Sequence, residues 1–474
     1  MIYEIFFWSA IIIVLYTYFG YGLLLTLLDK IQIFKKIIPR PKHVVESNSV
    51  SQKDFFPKVS LIISASGENK KTIREKIENT KNLNYPKDKM EVIFAIAYDS
   101  KQQDDETLIE FYSEFMTENF PKKINRFDEE LYINFSFIDD SVDLRDELLL
   151  EKIENKLSEI EINSGVLNTN SKAILDEYVL EKDESEEFRY SVTKDIERKG
   201  KISQVNRTVK KATGDIIVFS DANAMFNENS IRNIVKHFAD SQVGCVSGEK
   251  KIKKDKSSTS DEGEGFYWKY ESYLKKMDSK LWTVVGAAGE IFAVRKIFLD
   301  EDIPENAIIE DFVLSMKIAE KGYRVIYEPD AYAEEEPTTN IKSEYIRRRR
   351  ITAGGFQSMV WLKNLLNPFK FGVLSFQYIS HRVLRWAVVP FILPIIFLLN
   401  ILLFQNSIVY QLIFFFQLTF YVFSLFGLVL ELNQKKIKIF NIPFYFSMMN
   451  FSAYSGLKRY LLGQQKVIWE QVRT

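Results

Sequence analysis

The chain has 474 residues, of which 27% are charged, with 63 Lys and Arg against 64 Asp and Glu for a net charge of -1. That length exceeds what one hydrophobic core usually organises, and the even balance excludes a nucleic-acid partner for the chain as a whole. A single cysteine, Cys245, excludes an intrachain disulfide and a cysteine-built metal site, and the scattered His43, His237 and His381 argue against a histidine-built one.

The first element is the apolar run YEIFFWSAIIIVLYTYFGYGLLLTLL, long enough to cross a hydrocarbon core of about 30 Å. It is too long for a signal-peptide core and lacks a basic leader or cleavage site, so residues 1–30 are predicted to be a retained membrane anchor. Lys30, Lys35, Lys36, Arg40 and Lys42 follow, and positive flanks stay in the cytoplasm, which places the polar middle on that side. VSLIISAS, Val59 to Ser66, then reads as a strand. ENKKTIREKIENTKNL, with Ile73, Ile77 and Leu83, reads as a helix, and EVIFAIAYDS as a second strand. Such units build parallel sheets that hold ligands at the carboxyl ends of their strands.

Between Arg126 and Glu197 there are 21 acidic and 8 basic residues, which predicts a solvated, helical or partly disordered acidic insertion with a surface for a protein partner. RKGKISQVNRTVKKATGD then brings Arg198, Lys199 and Lys201, and DIIVF is a third strand running into FSDANAMF. The strand ends Ser64 to Glu68, Tyr98 to Ser100 and Ser220 to Asn223 each suit an ordinary cap or turn taken singly. Together they direct acids into one cleft, and such a cleft admits a nucleotide diphosphate only through a bridging divalent cation.

Downstream, EGFYWKYESYLKKMDSKLW sets Phe266, Trp268, Tyr270 and Tyr273 on a helix, as core or as stacking surface. WTVVGAAGEIFAVRK has almost no side-chain bulk from Gly286 to Gly289, as a tight turn requires. In IPENAIIEDFVLSMKIAEKGYRV, Glu310 and Asp311 open an amphipathic helix that stops at Gly322, where the helix dipole favours acids at the start. EYIRRRRITAGGFQ carries four arginines, suited either to a membrane surface or to diphosphate oxygens. After it, 366–385 is predicted as an interfacial helix and 386–474 as a membrane region. AVVPFILPIIFLLNILLF and VYQLIFFFQLTFYVFSLFGLVL form a hairpin there, and NIPFYFSMMNFSAYSGL either crosses or re-enters.

The ordered series VSLIISASGEN, EVIFAIAYDS, GKISQVN, GDIIVFSDANAMF, GAAGEIFAVRK, IIEDFVLSMKIAEKGYRVIYEPDA and RRRRITAGGFQ resembles membrane-bound family 2 glycosyltransferases. These are the group of the cellulose, chitin and hyaluronan synthases. The resemblance implies an α/β, A-type glycosyltransferase domain over 55–365 with a mixed, mainly parallel sheet, flanked by transmembrane helices in a multi-pass protein of the cytoplasmic membrane. It implies a nucleotide-sugar donor, UDP-linked, a divalent cation (magnesium or manganese), and inverting transfer to a glycan or lipid-linked acceptor in polysaccharide or cell-envelope glycan synthesis.

Residue by residue, the resemblance places the donor base near Ala65 and Asp99, with Glu68 beside them, and the diphosphate near Lys201 and Asn206. Asp221 matches the first acid of the family's metal motif, and Asn223 replaces the second, which predicts a weaker hold on bare metal and reliance on the diphosphate. Asp311 matches the catalytic base, with Glu310 beside it. Trp282, Gly286 and Ala287 line the acceptor side, and Gln357 offers an amide there. In the family's Gln-x-x-Arg-Trp motif Arg347 stands at the glutamine, Arg350 at the arginine and Ile351 at the tryptophan, so Arg350 is expected on the diphosphate, with Arg347 or Arg348 either assisting it or meeting lipid headgroups. Loss of the tryptophan favours single-sugar transfer over a processive synthase. A non-catalytic nucleotide- or partner-binding subunit is the reading from another class.

Overall fold

The computed structural model describes residues 1–31, 55–65, 70–96, 201–253, 262–299, 303–336, 341–433, 435 and 437–465, with short strand segments at 136–137, 173–174, 178–179 and 189–194. Eleven strands fall within these residues: β1 Val59–Ala65, β2 Met90–Ile96, β3 Ser136–Phe137, β4 Ala173–Ile174, β5 Tyr178–Val179, β6 Arg189–Lys194, β7 Ile216–Asp221, β8 Met225–Phe226, β9 Val243–Ile252, β10 Ile291–Arg295 and β11 Arg324–Glu335. β3 pairs with β4, and the other nine form one sheet in the order β5-β6-β2-β1-β7-β10-β9-β11-β8. β6, β2, β1 and β7 run parallel. β10 lies antiparallel between β7 and β9, and β11 is parallel to β9. The sheet is therefore mixed and mainly parallel, as the resemblance implies.

Strands buried on both faces read as continuous apolar runs, and their alternation assigns each residue a layer. Leu61 and Ile63 of β1 face a cluster completed by Ile73 and Ile77 of helix α2 (Lys70–Lys81). Ile62 faces the opposite cluster, with Ile202 and Val205 of helix α3 (Lys201–Lys211) and Phe312 of helix α4 (Glu310–Glu320). Helices thus cover both faces of the sheet at β1.

Arg189–Lys194 corrects the expected extent of the acidic insertion, because β6 pairs along β2 from Glu91 with Arg189 to Ile96 with Lys194. In RYSVTK, Tyr and Val alternate with polar residues, a strand period that the neighbouring acids obscure. Most of the insertion lies outside the described residues.

Among the described residues, three helices are long and apolar enough to cross a membrane: α5 (Ile2–Ile31), α6 (Val373–Leu403) and α7 (Ile408–Leu432). The expected break between an interfacial helix and a span at 385 is absent, since α6 runs through it as one helix. Helix α8 (Lys438–Leu461) crosses both α7 and helix α9 (Ile341–Trp361) where glycines permit close approach. A Cβ on Gly427 would stand 2.4 Å from Phe440 O, and one on Gly456 would stand 2.8 Å from Thr352 Cβ.

Helices α5 and α6 and the sheet-bearing domain meet at a buried charge cluster around helix α10 (Glu262–Leu281). Asp278 accepts from Tyr21 of α5 and from Gln377 at 3.1 Å, and pairs with His381. Glu271 pairs with Arg382 at 2.8 Å, Arg385 at 2.7 Å and His381 at 3.2 Å. Arg382 also donates from Nε to Val285 O at 3.1 Å.

On β11, Glu328 pairs with Lys236 at 2.8 Å and His237 at 2.7 Å. Burial pushes its carboxyl up, but the bonds from His237 and Lys236 outweigh this and bring it down to about 2 from 4.5. A depressed carboxyl contributes stability above its unfolded pKa, and that contribution is lost as pH falls through the folded one. Thermal unfolding in detergent is expected to fall in midpoint between about pH 4.5 and pH 2. Glu328→Gln should flatten that slope and cost at most about 3 kcal/mol at neutral pH.

Candidate functional site

The site is built where β7, α3 and α4 end or begin. In the parallel register Ser64 stands beside Asp221, and the Ala222 N–H donates to Ser64 O at 3.0 Å, so the carboxyl ends of β1 and β7 are tied together. Ala65 closes β1 at the same edge. Lys201, first residue of α3, places Nζ 2.7 Å from Asp221 Oδ1 and 3.0 Å from Glu310 Oε1. Partial burial disfavours its charge, but the two carboxylates hold the ammonium above its ordinary value. Glu68 and Asp99 lie outside the described residues.

Glu310 and Asp311, adjacent at the start of α4, are driven apart in pKa. Burial raises Glu310, but Lys201 and Arg350 overcome it and keep the carboxyl below its ordinary value. Asp311 is raised to about 7, first by burial and then by the charge of Glu310, against the Phe312 backbone bond and Lys201. A helix N-terminus by itself lowers a carboxyl; here loss of water outweighs it.

The GAAG run faces this carboxyl. A Cβ on Gly289 would stand 3.1 Å from Asp311 Oδ2. Gly286 has φ +94°, and a Cβ there would stand 2.3 Å from the Phe312 ring. The Ala287 N–H donates to Ser315 Oγ at 3.0 Å, and that hydroxyl donates to Asp311 O at 2.8 Å. The small residues thus serve first to let the loop lie against α4.

Other expected residues take different places. Asn206, assigned to the diphosphate, is buried with both ends of its amide on Ile303, Nδ2 to O at 2.8 Å and Oδ1 from N at 3.0 Å. Gln357, assigned to the acceptor, is buried too, accepting from Ile308 N at 2.9 Å and donating to Asn306 O at 2.8 Å. Both amides fasten the segment that delivers Asp311. Trp282 packs into the core with its ring 5.6 Å from the Arg324 guanidinium, and does not join the acids.

The arginine run divides. Burial brings the Arg350 guanidinium below its ordinary value, against the charges of Glu310, Asp311 and Asp221, and its own charge is felt by Glu310. Arg347 instead meets Glu290 at 3.3 Å and Glu344 at 3.9 Å. Arg348 is buried on Glu344 at 2.6 Å and Tyr445 of α8 at 2.8 Å, which removes it from a membrane-surface role. Sequence reasoning missed Glu290, which Lys250 holds at 2.6 Å, and Lys76, buried behind the Asp221 turn. Glu290 directly follows the GAAG run, the one local signal for it. Lys76 has none.

The divalent cation implied by the resemblance finds donors of the right chemistry in Asp221 and Asn223, two residues apart in one turn. Magnesium and manganese accept carboxylate and amide oxygens and complete their shells with water or phosphate. Among the described residues no group of three His, Cys, Asp or Glu forms a fuller metal cage.

Residues 216–430 match the model of glycosyl transferase family group 2. Curated relatives include a poly-beta-1,6-N-acetyl-D-glucosamine synthase of Staphylococcus aureus (strain COL), 24% identical over 181 residues, which are 37% of this chain and 42% of the relative. The chain therefore matches less than half the length of that relative. A solved mannosyltransferase from Pyrobaculum calidifontis, in complex with GDP-Man and Mn2+, is similar over 97% of this chain and 99% of its own, with a TM-score of 0.59 and 18% identity. That likeness is one of fold.

The opposed shifts of Glu310 and Asp311 have a spectroscopic consequence. The carboxylic-acid infrared band that Asp311→Asn removes should disappear on titration near pH 7. In Glu310→Gln, with the neighbouring charge gone, it should disappear at lower pH. An unchanged midpoint would show that the two carboxyls do not interact.

Proposed function

We propose, from the match of residues 216–430 to glycosyl transferase family group 2, that the chain is a member of that family and transfers one sugar from a nucleotide diphosphate sugar, UDP-linked, to a glycan or lipid-linked acceptor. The work is done at the cytoplasmic face of the membrane, in polysaccharide or cell-envelope glycan synthesis. The observation that carries this reading is Asp311: a carboxyl raised to about 7, beside a glycine, at the carboxyl edge of the sheet.

A base is most effective when its pKa lies near the working pH. Asp311 takes the proton of the acceptor hydroxyl as that oxygen attacks the anomeric carbon and the bond to the diphosphate breaks, which inverts configuration. Lys201 and Arg350 hold the departing diphosphate, where cationic donors stabilise developing charge. Asp221 and Asn223 would hold the divalent cation, which when bound supplies further positive charge to the diphosphate. Glu310 is a charged neighbour that keeps Asp311 basic. The three apolar helices keep the domain at the bilayer, the lipid acceptor's own phase.

A second reading, processive synthesis, is supported by the synthase name of the curated relatives. One assay separates the two. Detergent-purified protein is given UDP- and GDP-sugars with manganese or magnesium and oligosaccharide or lipid-linked acceptors, and nucleoside diphosphate release and product length are measured. Single additions are expected, and polymer would replace this reading with the processive one. Asp311→Asn should lower release by about 10²–10⁴-fold. Asp221→Asn should abolish it, and Asn223→Asp should keep it with a lower metal requirement. Release unaffected by Asp311→Asn would overturn the assignment of the base.

A further inference from the structure

Lys76 has no exposed surface, yet it sits on the face of α2 that packs under the sheet, between the core residues Ile73 and Ile77. A leucine would fill such a place without the cost of taking an ammonium out of water. All the described polar contacts of Lys76 go to one turn. Nζ donates to Ser220 Oγ at 2.8 Å and to the Ala224 carbonyl, and lies 4.2 Å from the centroid of the Phe226 ring. Ser220 and Ala224 bracket Asp221, Ala222 and Asn223. One helical turn on, Asn79 takes the next stretch of the same chain, donating to Phe226 O at 2.7 Å and accepting from Phe226 N at 2.8 Å.

The turn's own bonds are few. Ser220 Oγ donates to Asp221 O at 3.0 Å and Ala224 N donates to it at 3.1 Å. A turn that offers a cation one carboxylate and one amide has less charge to attract it than two acids have, so its hold depends more on keeping both oxygens in place. We propose that Lys76 is the positioning residue of this turn, clamping its two ends so that Asp221 and Asn223 together present their oxygens to a divalent cation shared with a nucleoside diphosphate. The proposal rests on the reading of Asp221 and Asn223 as cation ligands.

The test is calorimetric binding of UDP and of GDP to the full-length protein in detergent, with Mn2+ and with EDTA, alongside thermal melting of each variant. Mn2+ should strengthen nucleotide binding in the wild type, and Asp221→Asn should remove that gain. A wild type without the gain, or Asp221→Asn retaining it, defeats the ligand reading and the proposal with it. Lys76→Met should cut the Mn2+-dependent gain by about tenfold or more while leaving binding in EDTA unchanged. A purely structural lysine would lower the melting temperature and leave that ratio alone. Ser220→Ala, which removes one of the clamped groups at little risk to folding, should cut the gain by about threefold. A wild-type ratio in folded Lys76→Met, or in Ser220→Ala where Lys76→Met does not fold, overturns the proposal even though Asp221→Asn behaves as expected.

Discussion

The ammonium of Lys201, held between Asp221 and Glu310, is the contact on which the rest of the site depends. It joins the end of one strand to the starts of two helices that are distant in sequence. It also sets the charge states around it. With Lys201 and Arg350 beside it Glu310 stays ionised, and an ionised Glu310 next to a desolvated Asp311 makes the second negative charge costly. Lys201 therefore sustains the Glu310 charge that raises Asp311, while its own charge acts on Asp311 in the opposite sense.

The segment carrying Asp311 is suspended by neutral groups. Asn206 and Gln357 grip it at 303, 306 and 308, and Ser315 links the Asp311 carbonyl to the GAAG loop. Neutral amides suit this task because they satisfy buried backbone groups without adding a charge that would compete with Lys201 or alter Asp311. The same economy explains the arginine run. Arg350 acts electrostatically on Glu310 and Asp311, while Arg347 and Arg348 are taken up by Glu290, Glu344 and Tyr445.

Much of this was legible in the sequence where the signal is periodic or local. The first strand, its helix and the second strand follow apolar spacing, and the helix opening at Glu310 ends before Gly322, whose φ is +94°. The strand end at Asp221 was legible for the same reason. What stayed hidden depends on partners far along the chain. Asn206 and Gln357 are amides whose roles are decided by residues 97 and 51 positions away, and no local pattern distinguishes an amide that holds backbone from one that holds a ligand. Lys76 lies inside an otherwise amphipathic helix, where a lysine ordinarily marks the solvent face. β6 is hidden among acids because six alternating residues are a weaker signal than the acidic composition around them.

The cluster of Asp278, Glu271, His381, Arg382 and Arg385 makes the membrane boundary a poor place to divide this molecule. Cutting away the apolar helices to obtain a water-soluble domain would strip two buried acids of their counter-charges and leave them on a face shaped for partners no longer there. Arg382 reaches further, from Glu271 to the carbonyl of Val285, the residue just before Gly286. A tilt of α6 would therefore be felt, through one guanidinium, at the loop that lies against Asp311.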